Sequence, residues 1–246
     1  MSNLPLRLTI LGSGSAFATT AHHAGACVDG AVLLDCGAPA LALLPPCGID
    51  PAAIEVVCLS HFHADHCFQL PVLLAARRFE QPQAPPLTVV GPTGTADHVD
   101  RLLRLAFGDQ LRDEVMGERP PRLVEVTGGD VVDLGRHRLE AVTVVHVPHL
   151  PCLAFRISRD GIALGYSGDT TWCDGIRDLA RRVDHLLCEC TGGDEPDPVH
   201  LTRPQALALM REAPTTRFIL THLRHRQPVP GALLASDGLT LSLAGA

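Results

Sequence analysis

The chain has 246 residues, of which 46% are hydrophobic, 19% charged and only 4% aromatic, and its formal net charge is -7 at pH 7. That length and apolar content bury a sizeable core and exclude disorder. The acidic balance and the shortage of aromatic rings argue against a surface built to neutralise and stack on long nucleic acid, so nucleic acid is not expected as a partner and a small-molecule substrate is.

Residues 1–7 carry neither a charged leader followed by an apolar stretch nor a small-residue cleavage site, and no apolar run approaches the ~20 residues that span a bilayer. The nine cysteines are an odd number without regular spacing. A cytoplasmic protein with reduced thiols and no membrane contact is expected. Strand-like runs cover residues 6–11, 31–34 and 54–59, followed by a helical pattern over 68–78 and a proline-rich loop over 81–86. A strand at 87–90 and a helix at 96–107 precede a stretch, 108–122, that reads as a short acidic insertion carrying Asp109, Asp113, Glu114 and Glu118. Strands are predicted at 139–145, 153–157 and 162–164, a helix at 175–182, a strand at 186–188, a helix at 203–211 with Thr202 as its N-cap, and a strand at 218–220. Cys188 and Cys190 fall in an apolar strand and read as core residues. Strands alternating with helices predict an α/β protein, and no linker interrupts them, so one domain over 1–246 is expected.

Four of these strands end in the same way. Residues 54–60 lead into His61, residues 142–145 into His146, residues 163–168 into Asp169 and residues 217–221 into His222. Loops at one rim of an α/β sandwich converge on ligands, so the four exits point to one shared site. The segment His61-Phe62-His63-Ala64-Asp65-His66 packs three histidines and a carboxylate into six residues. Imidazole and carboxylate are the usual ligands of zinc and similar divalent ions, and in an extended loop His61 and His63 point to one side while the following turn redirects Asp65 and His66. The competing reading of the cluster alone is a solvated polar turn.

His61, His63, Asp65 and His66 match the HxHxDH signature of the metallo-β-lactamase superfamily, and the chain resembles its ribonuclease Z and phosphodiesterase branch. Residues 10–16 (ILGSGSA) resemble that branch's opening strand and turn, residues 34–37 (LDCG) its "DCG" segment, residues 166–170 (YSGDT) its "SGDT" motif, Thr221-His222 its final ligand motif, and residues 235–238 (ASDG) its "A-x-DG" stretch. The resemblance implies a four-layer αβ/βα sandwich of two mixed β-sheets flanked by helices, two divalent metal ions, zinc first and manganese or iron as alternatives, and a homodimer. It further implies that His61, His63 and His146 hold one ion, that Asp65, His66 and His222 hold the other, and that Asp169 bridges them. At the third motif His146 and His149 compete; His146 is preferred because it comes straight off its strand.

Two such ions lower the pKa of a shared water, polarise a phosphoryl or carbonyl oxygen and hold the leaving group, so hydrolysis is expected, with Asp65 in a mixed role of ligand and general base. Glu189 and His200 resemble the ribonuclease Z pair in which a glutamate orients a proton-donating histidine; a loop histidine is the alternative for His200. Ser13, Ser15 and Ser167 read as turn residues; His22 and His23 are candidates to overhang the site, with exposed loop histidines as the alternative, and Arg224, His225 and Arg226 are candidates to bind an anionic substrate, with a solvated basic turn as the equal alternative. Gln69 stands where the branch usually has glycine, Ala18 where it often has proline, and the long Gly/Pro-rich arm of transfer RNA-processing members is not evident. The leading expectation is a hydrolase of a small or cyclic phosphodiester, with an anionic substrate. Acyl (thioester or lactone) hydrolysis, transfer RNA 3'-end processing and a non-catalytic metal-binding or carrier role are the alternatives.

Overall fold

Val56, Val57 and Cys58, like Leu186, Leu187 and Cys188, are all buried, so these short apolar runs are covered on both faces, as parallel strands inside an α/β protein are. The computed structural model of the protein describes residues 4–245 and shows why. In chain order, β1 (Leu6–Gly12), β2 (Gly25–Val28), β3 (Val32–Leu34), α1 (Ala40–Leu43), β4 (Val56–Cys58), α2 (Ala64–Cys67), α3 (Leu70–Phe79), β5 (Thr88–Pro92), α4 (Thr95–Val115) and β6 (Arg122–Val126) build one half. The other half follows with β7 (Val131–Leu134), β8 (His137–Val144), β9 (Cys152–Arg159), β10 (Ile162–Tyr166), α5 (Asp174–Arg181), β11 (His185–Glu189), α6 (Arg203–Glu212), β12 (Arg217–Thr221) and β13 (Leu233–Leu234). Finally β14 (Thr240–Leu243) returns to pair antiparallel with β1. The result is two mixed seven-stranded sheets, ordered β14-β1-β2-β3-β4-β5-β6 and β13-β12-β11-β10-β9-β8-β7.

Side-chain alternation sorts the core into three layers. Leu8, Ile10, Leu34 and Cys58 from the first sheet meet Phe155, Leu164, Leu187 and Ile219 from the second, filling the space between them. The opposite faces carry Leu33, Val57 and Val89 against Leu70, Leu73 and Leu103 of the first sheet's helices, and Leu186, Phe218 and Leu220 against Ile176, Leu179 and Leu209 of the second's. Helices therefore cover both outer faces, giving the αβ/βα sandwich expected.

Three local details differ from the sequence reading. The helix expected over 68–78 is broken: Gln69 N donates to Cys36 O, Pro71 sits in the first turn of a new helix, and α2 and α3 are separate. Residues 108–115 of the expected insertion belong to α4, and only 116–121 form a loop. Gly108, at φ 79°, kinks α4, which runs on to a buried Val115, and Arg112 reaches back across the kink to Asp100. The strands β2, β6, β7, β13 and β14 were not anticipated; β6 and β7 are half-exposed edge strands with polar residues and so lack an apolar run. All nine cysteines are free, and no helix among the described residues is long and apolar enough to cross a membrane.

Candidate metal centre

The strands β4, β8, β10, β11 and β12 end at one rim of the sandwich. After β4, Leu59 and Ser60 lead to His61; His63 caps α2, which carries Asp65 and His66. From the second sheet come His146 after β8, Asp169 after β10, Glu189 at the last position of β11 and His222 after β12. The rim of one sheet is bonded to the other where Leu153 N donates to Ser60 O at 2.9 Å. Gly168 makes the β10 exit possible: its φ is 55°, and a Cβ there would lie 2.6 Å from that of Ser60.

Two donor sets result. His61, His63, His146 and Asp169 form the first, and Asp65, His66, Asp169 and His222 the second; within each set the ligand atoms lie within 4.8 Å of one another, and Asp169 belongs to both. In the first, His146 Nε2 faces His63 Nδ1 at 3.3 Å and Asp169 Oδ2 at 3.7 Å. In the second, His66 Nε2 lies 3.3 Å from both His222 Nε2 and Asp169 Oδ1, and His222 Nε2 is 3.1 Å from Asp65 Oδ2. His149, by contrast, is exposed at φ 67° and stands outside both sets.

The scaffold fixes which ring nitrogen each histidine offers. Ser60 Oγ gives its only proton to Asp35 Oδ2 (2.7 Å), so it must accept from His61 Nδ1 (3.0 Å). Thr191 Oγ1 likewise donates to the His222 carbonyl and accepts from His222 Nδ1, both at 2.7 Å. His66 Nδ1 donates to Asp35 Oδ2 at 2.6 Å and His146 Nδ1 to the Val199 carbonyl at 2.7 Å. In all four the Nε2 lone pair is thereby turned to the centre, the arrangement that orients imidazoles on a metal. Two buried atoms there, His61 Nε2 and Asp169 Oδ1, have no hydrogen-bond partner. An orphaned imidazole nitrogen beside an orphaned carboxylate oxygen is costly unless a cation satisfies both, so the residues fit a pair of divalent ions.

The electrostatics agree. Burial, reinforced by His66, drives the His61 pKa well below the histidine range and keeps the ring a neutral donor. Burial opposes a charge on Asp65 and Asp169, yet His222 and His66 outweigh it and hold both carboxyls well below the usual range. For His66 burial opposes protonation, but Asp169 and Asp35 dominate and push it well above the histidine range, so a proton competes with a cation for that position.

Beside the two sets, Glu189 and His200 meet. His200 Nδ1 lies 2.9 Å from Glu189 Oε1, and Glu189 is itself held by the backbone N–H groups of Thr170 (2.9 Å) and Thr191 (3.0 Å). The His200 ring stands 4.9 Å from that of His146 and 5.4 Å from that of His222. Burial would lower its pKa, but the Glu189 hydrogen bond and charge raise it to about 9. His200, His63, Asp65, His146, Asp169 and His222 line one cleft of about 430 Å³, together with Phe17 and His23. His22, Arg224 and His225 are exposed away from that lining, and Arg226 donates to Ser13 Oγ. Ser13 and Ser167 are turn braces: Ser13 binds Asp237, and Ser167 Oγ accepts from Glu189 N. The roles of Asp35, Thr191 and the Val199 carbonyl in aiming the histidines were not read from the sequence. Only Asp35, inside the "DCG" segment, left a trace that could have been followed.

Residues 31–223 match the family model of the beta-lactamase superfamily domain. Ribonuclease Z of Mycobacterium bovis is 32% identical over 198 residues, covering 74% of this chain and 69% of that protein. Among solved structures, the metallo-beta-lactamase fold protein YhfI from Bacillus subtilis has a TM-score of 0.79 at 20% identity, covering 96% of this chain and 99% of that one. A diphosphatase of the PhnP family has a TM-score of 0.71 at 19% identity and covers 98% of both chains; at these identities the two likenesses speak for the fold. Sequence match, fold and donor sets agree, and the chain belongs to the metallo-β-lactamase superfamily of metal-dependent hydrolases, on its ribonuclease Z-like side.

Proposed function

We propose that the protein is a phosphodiesterase acting on a small or cyclic phosphodiester, with two zinc ions held by His61, His63 and His146 on one side, Asp65, His66 and His222 on the other, and Asp169 between them. Bound divalent ions would polarise the phosphoryl group and make water a competent nucleophile near neutral pH. Asp65, held ionised, accepts the proton of the attacking water. As the new P–O bond forms and the ester P–O bond breaks, the leaving oxygen takes a proton from Nε2 of His200, whose Nδ1–H stays on Glu189 Oε1.

The observation that carries this reading is the Glu189–His200 pair. A thiolate leaves with a pKa near ~8.5 and needs no proton donor, whereas an alkoxide does, so an imidazole locked by a buried carboxylate at the edge of the donor sets favours an oxygen ester over a thioester. The name of the mycobacterial relative favours RNA as a second reading. Against it stand the net charge of -7 and the acidic helical segment after Gly108, carrying Asp109, Asp113 and Glu114.

The test compares His200→Ala with the wild type on two diesters, one expelling p-nitrophenolate and one expelling an alkoxide, with metal content measured in parallel. Expected is a loss of about 10²–10⁴-fold on the alkoxide substrate, a far smaller loss on the nitrophenyl ester, and unchanged metal. Turnover of a thioester alone would sink the phosphodiester reading, and efficient cleavage of a transfer RNA precursor would move the assignment to RNA.

A further inference from the structure

The cleft above the donor sets has walls as well as a floor. Ala16 and Phe17 come from the loop between β1 and β2, Val147 follows His146, and Val199 precedes His200. All twenty basic residues of the chain are arginines, and none of them lines the cleft. Sites that take a phosphomonoester, a diphosphate or a nucleic-acid backbone ordinarily supply guanidinium or ammonium groups to the extra charges. Here Ala16, Phe17 and Val147 stand around the donor sets in place of such groups, which suits one phosphoryl charge flanked by apolar groups.

Phe17 is the residue that most needs an occupant, because its side chain is 86% exposed. It does not sit there by looseness of the loop. Asp237 grips both stems of that loop: its Oδ1 accepts from Ser13 N (2.9 Å) and Ser13 Oγ (2.7 Å), and its Oδ2 from His22 N (2.7 Å). Gly14 N donates to His22 O at 2.9 Å, and the His23 ring lies 3.2 Å from Ala16 O, next to Phe17. A Cβ at Gly12 would be 1.7 Å from His23 O, so the stem closes to a distance only glycine permits. Leu223 N donates to Ser13 O, tying the loop to the residue after His222. A braced loop that holds an apolar ring in water at the mouth of a site is preorganised to bind.

We propose that Phe17 is a specificity-determining residue: its ring is the platform for a flat aryl or heteroaryl group on one side of a singly charged phosphodiester whose phosphoryl group sits over the donor sets. This rests on the phosphodiesterase reading and adds to it the chemistry of the ester group.

Two singly charged phosphonate esters that differ in one substituent test it without turnover. Methyl phenylphosphonate and methyl methylphosphonate are titrated calorimetrically into the zinc-reconstituted full chain and into its Phe17→Ala and Phe17→Trp variants. The wild type is expected to prefer the phenyl ester by on the order of 10-fold, Phe17→Ala to lose that preference, and Phe17→Trp to keep it. Equal affinity of the wild type for the two esters, or a preference that survives Phe17→Ala, overturns the assignment. A change of oligomeric state in Phe17→Ala by sedimentation, with the preference intact, would also overturn it and make Phe17 a subunit contact. Failure of the underlying function looks different: it is the absence of diester turnover by the wild type, which calorimetry does not measure.

Discussion

At the residue scale, the side chain that holds most of the site together is not a ligand. Asp35 is buried with φ at 58°, and its carboxylate accepts from Ser60 N and Oγ (both 2.7 Å), His66 Nδ1 (2.6 Å) and Tyr166 Oη (2.6 Å). Three of those four bonds converge on Oδ2, so one oxygen sets the ring of His66, the tautomer of His61 through Ser60, and the end of β10. Asp35→Asn keeps the shape and tolerates the left-handed backbone. It either turns an amide N–H₂ against these donors or weakens the acceptor they share. Zinc affinity measured against a chromophoric chelator is expected to fall 10- to 100-fold while the far-ultraviolet circular dichroism stays native; an affinity within twofold of wild type would show that the ligands aim themselves. The residues of the two donor sets could be picked out in the sequence because metal chemistry asks for those residue types and most of them stand directly after apolar runs. Their aiming groups could not, because a backbone carbonyl such as that of Val199, or a threonine such as Thr191, has no signature until the chain is folded.

At the element scale, the short helix α6 determines where His200 stands. Thr202 is its N-cap, accepting from Gln205 N at 3.4 Å while Gln205 Oε1 accepts from Thr202 N at 2.9 Å, a capping box with Pro204 in the first turn. The same residue bridges to Gly192, and Gly192 N donates to Leu201 O at 2.9 Å, so the cap also anchors the segment that presents His200. Thr202→Ala is expected to lower stability by about 1 kcal/mol in urea denaturation and, through a displaced His200, to reduce turnover of the alkoxide diester with metal content unchanged. Equal turnover in the two proteins would detach α6 from the chemistry. This cap was readable because Thr-Arg-Pro-Gln before an apolar pattern is a helix start in any context. The same local logic failed at 108–115, where the acidic run reads as the start of an insertion. There Gly108 turns the chain, and pairs between Arg104 and Asp109 and between Arg112 and Asp100 let a second helical segment pack down on Val115. It failed again at β6 and β7, where Glu125 and Asp133 interrupt the apolar runs and pairing with β5 and β8 sets the strands.

At the scale of the whole molecule, polar and charged side chains link the two sheets at both ends of the sandwich. One end is the donor cluster, with histidines and carboxylates from both halves. At the other, Asp29 in the turn between β2 and β3 takes His137 Nε2 at 2.7 Å from the start of β8 and the Arg159 guanidinium from the end of β9. Arg7 N binds its second oxygen at 2.8 Å, and Arg159 Nη2 also donates to the Leu4 and Pro5 carbonyls. Burial would raise the Asp29 pKa, but the His137 and Arg7 hydrogen bonds and the Arg159 charge hold it below the ordinary carboxylate value. A folded pKa below the unfolded one means that this carboxylate favours the native state at every pH above the unfolded value of about 3.9, and that the contribution drains away as pH falls through the depressed folded value. Asp29→Asn keeps the left-handed turn at φ 52° and removes only the charge, leaving the buried Arg159 with the exposed Asp160 as its one remaining carboxylate partner. Denaturant titrations of the metal-free wild type and the variant, both in EDTA, are expected to differ by about 3 kcal/mol at pH 7. The carboxylates of the donor sets are unchanged between the two proteins, so the gap should hold to about pH 5 and then narrow toward pH 3. A difference that does not change over that range would mean that Asp29 acts through shape, and that hydrophobic packing alone closes the end of the sandwich away from the metals.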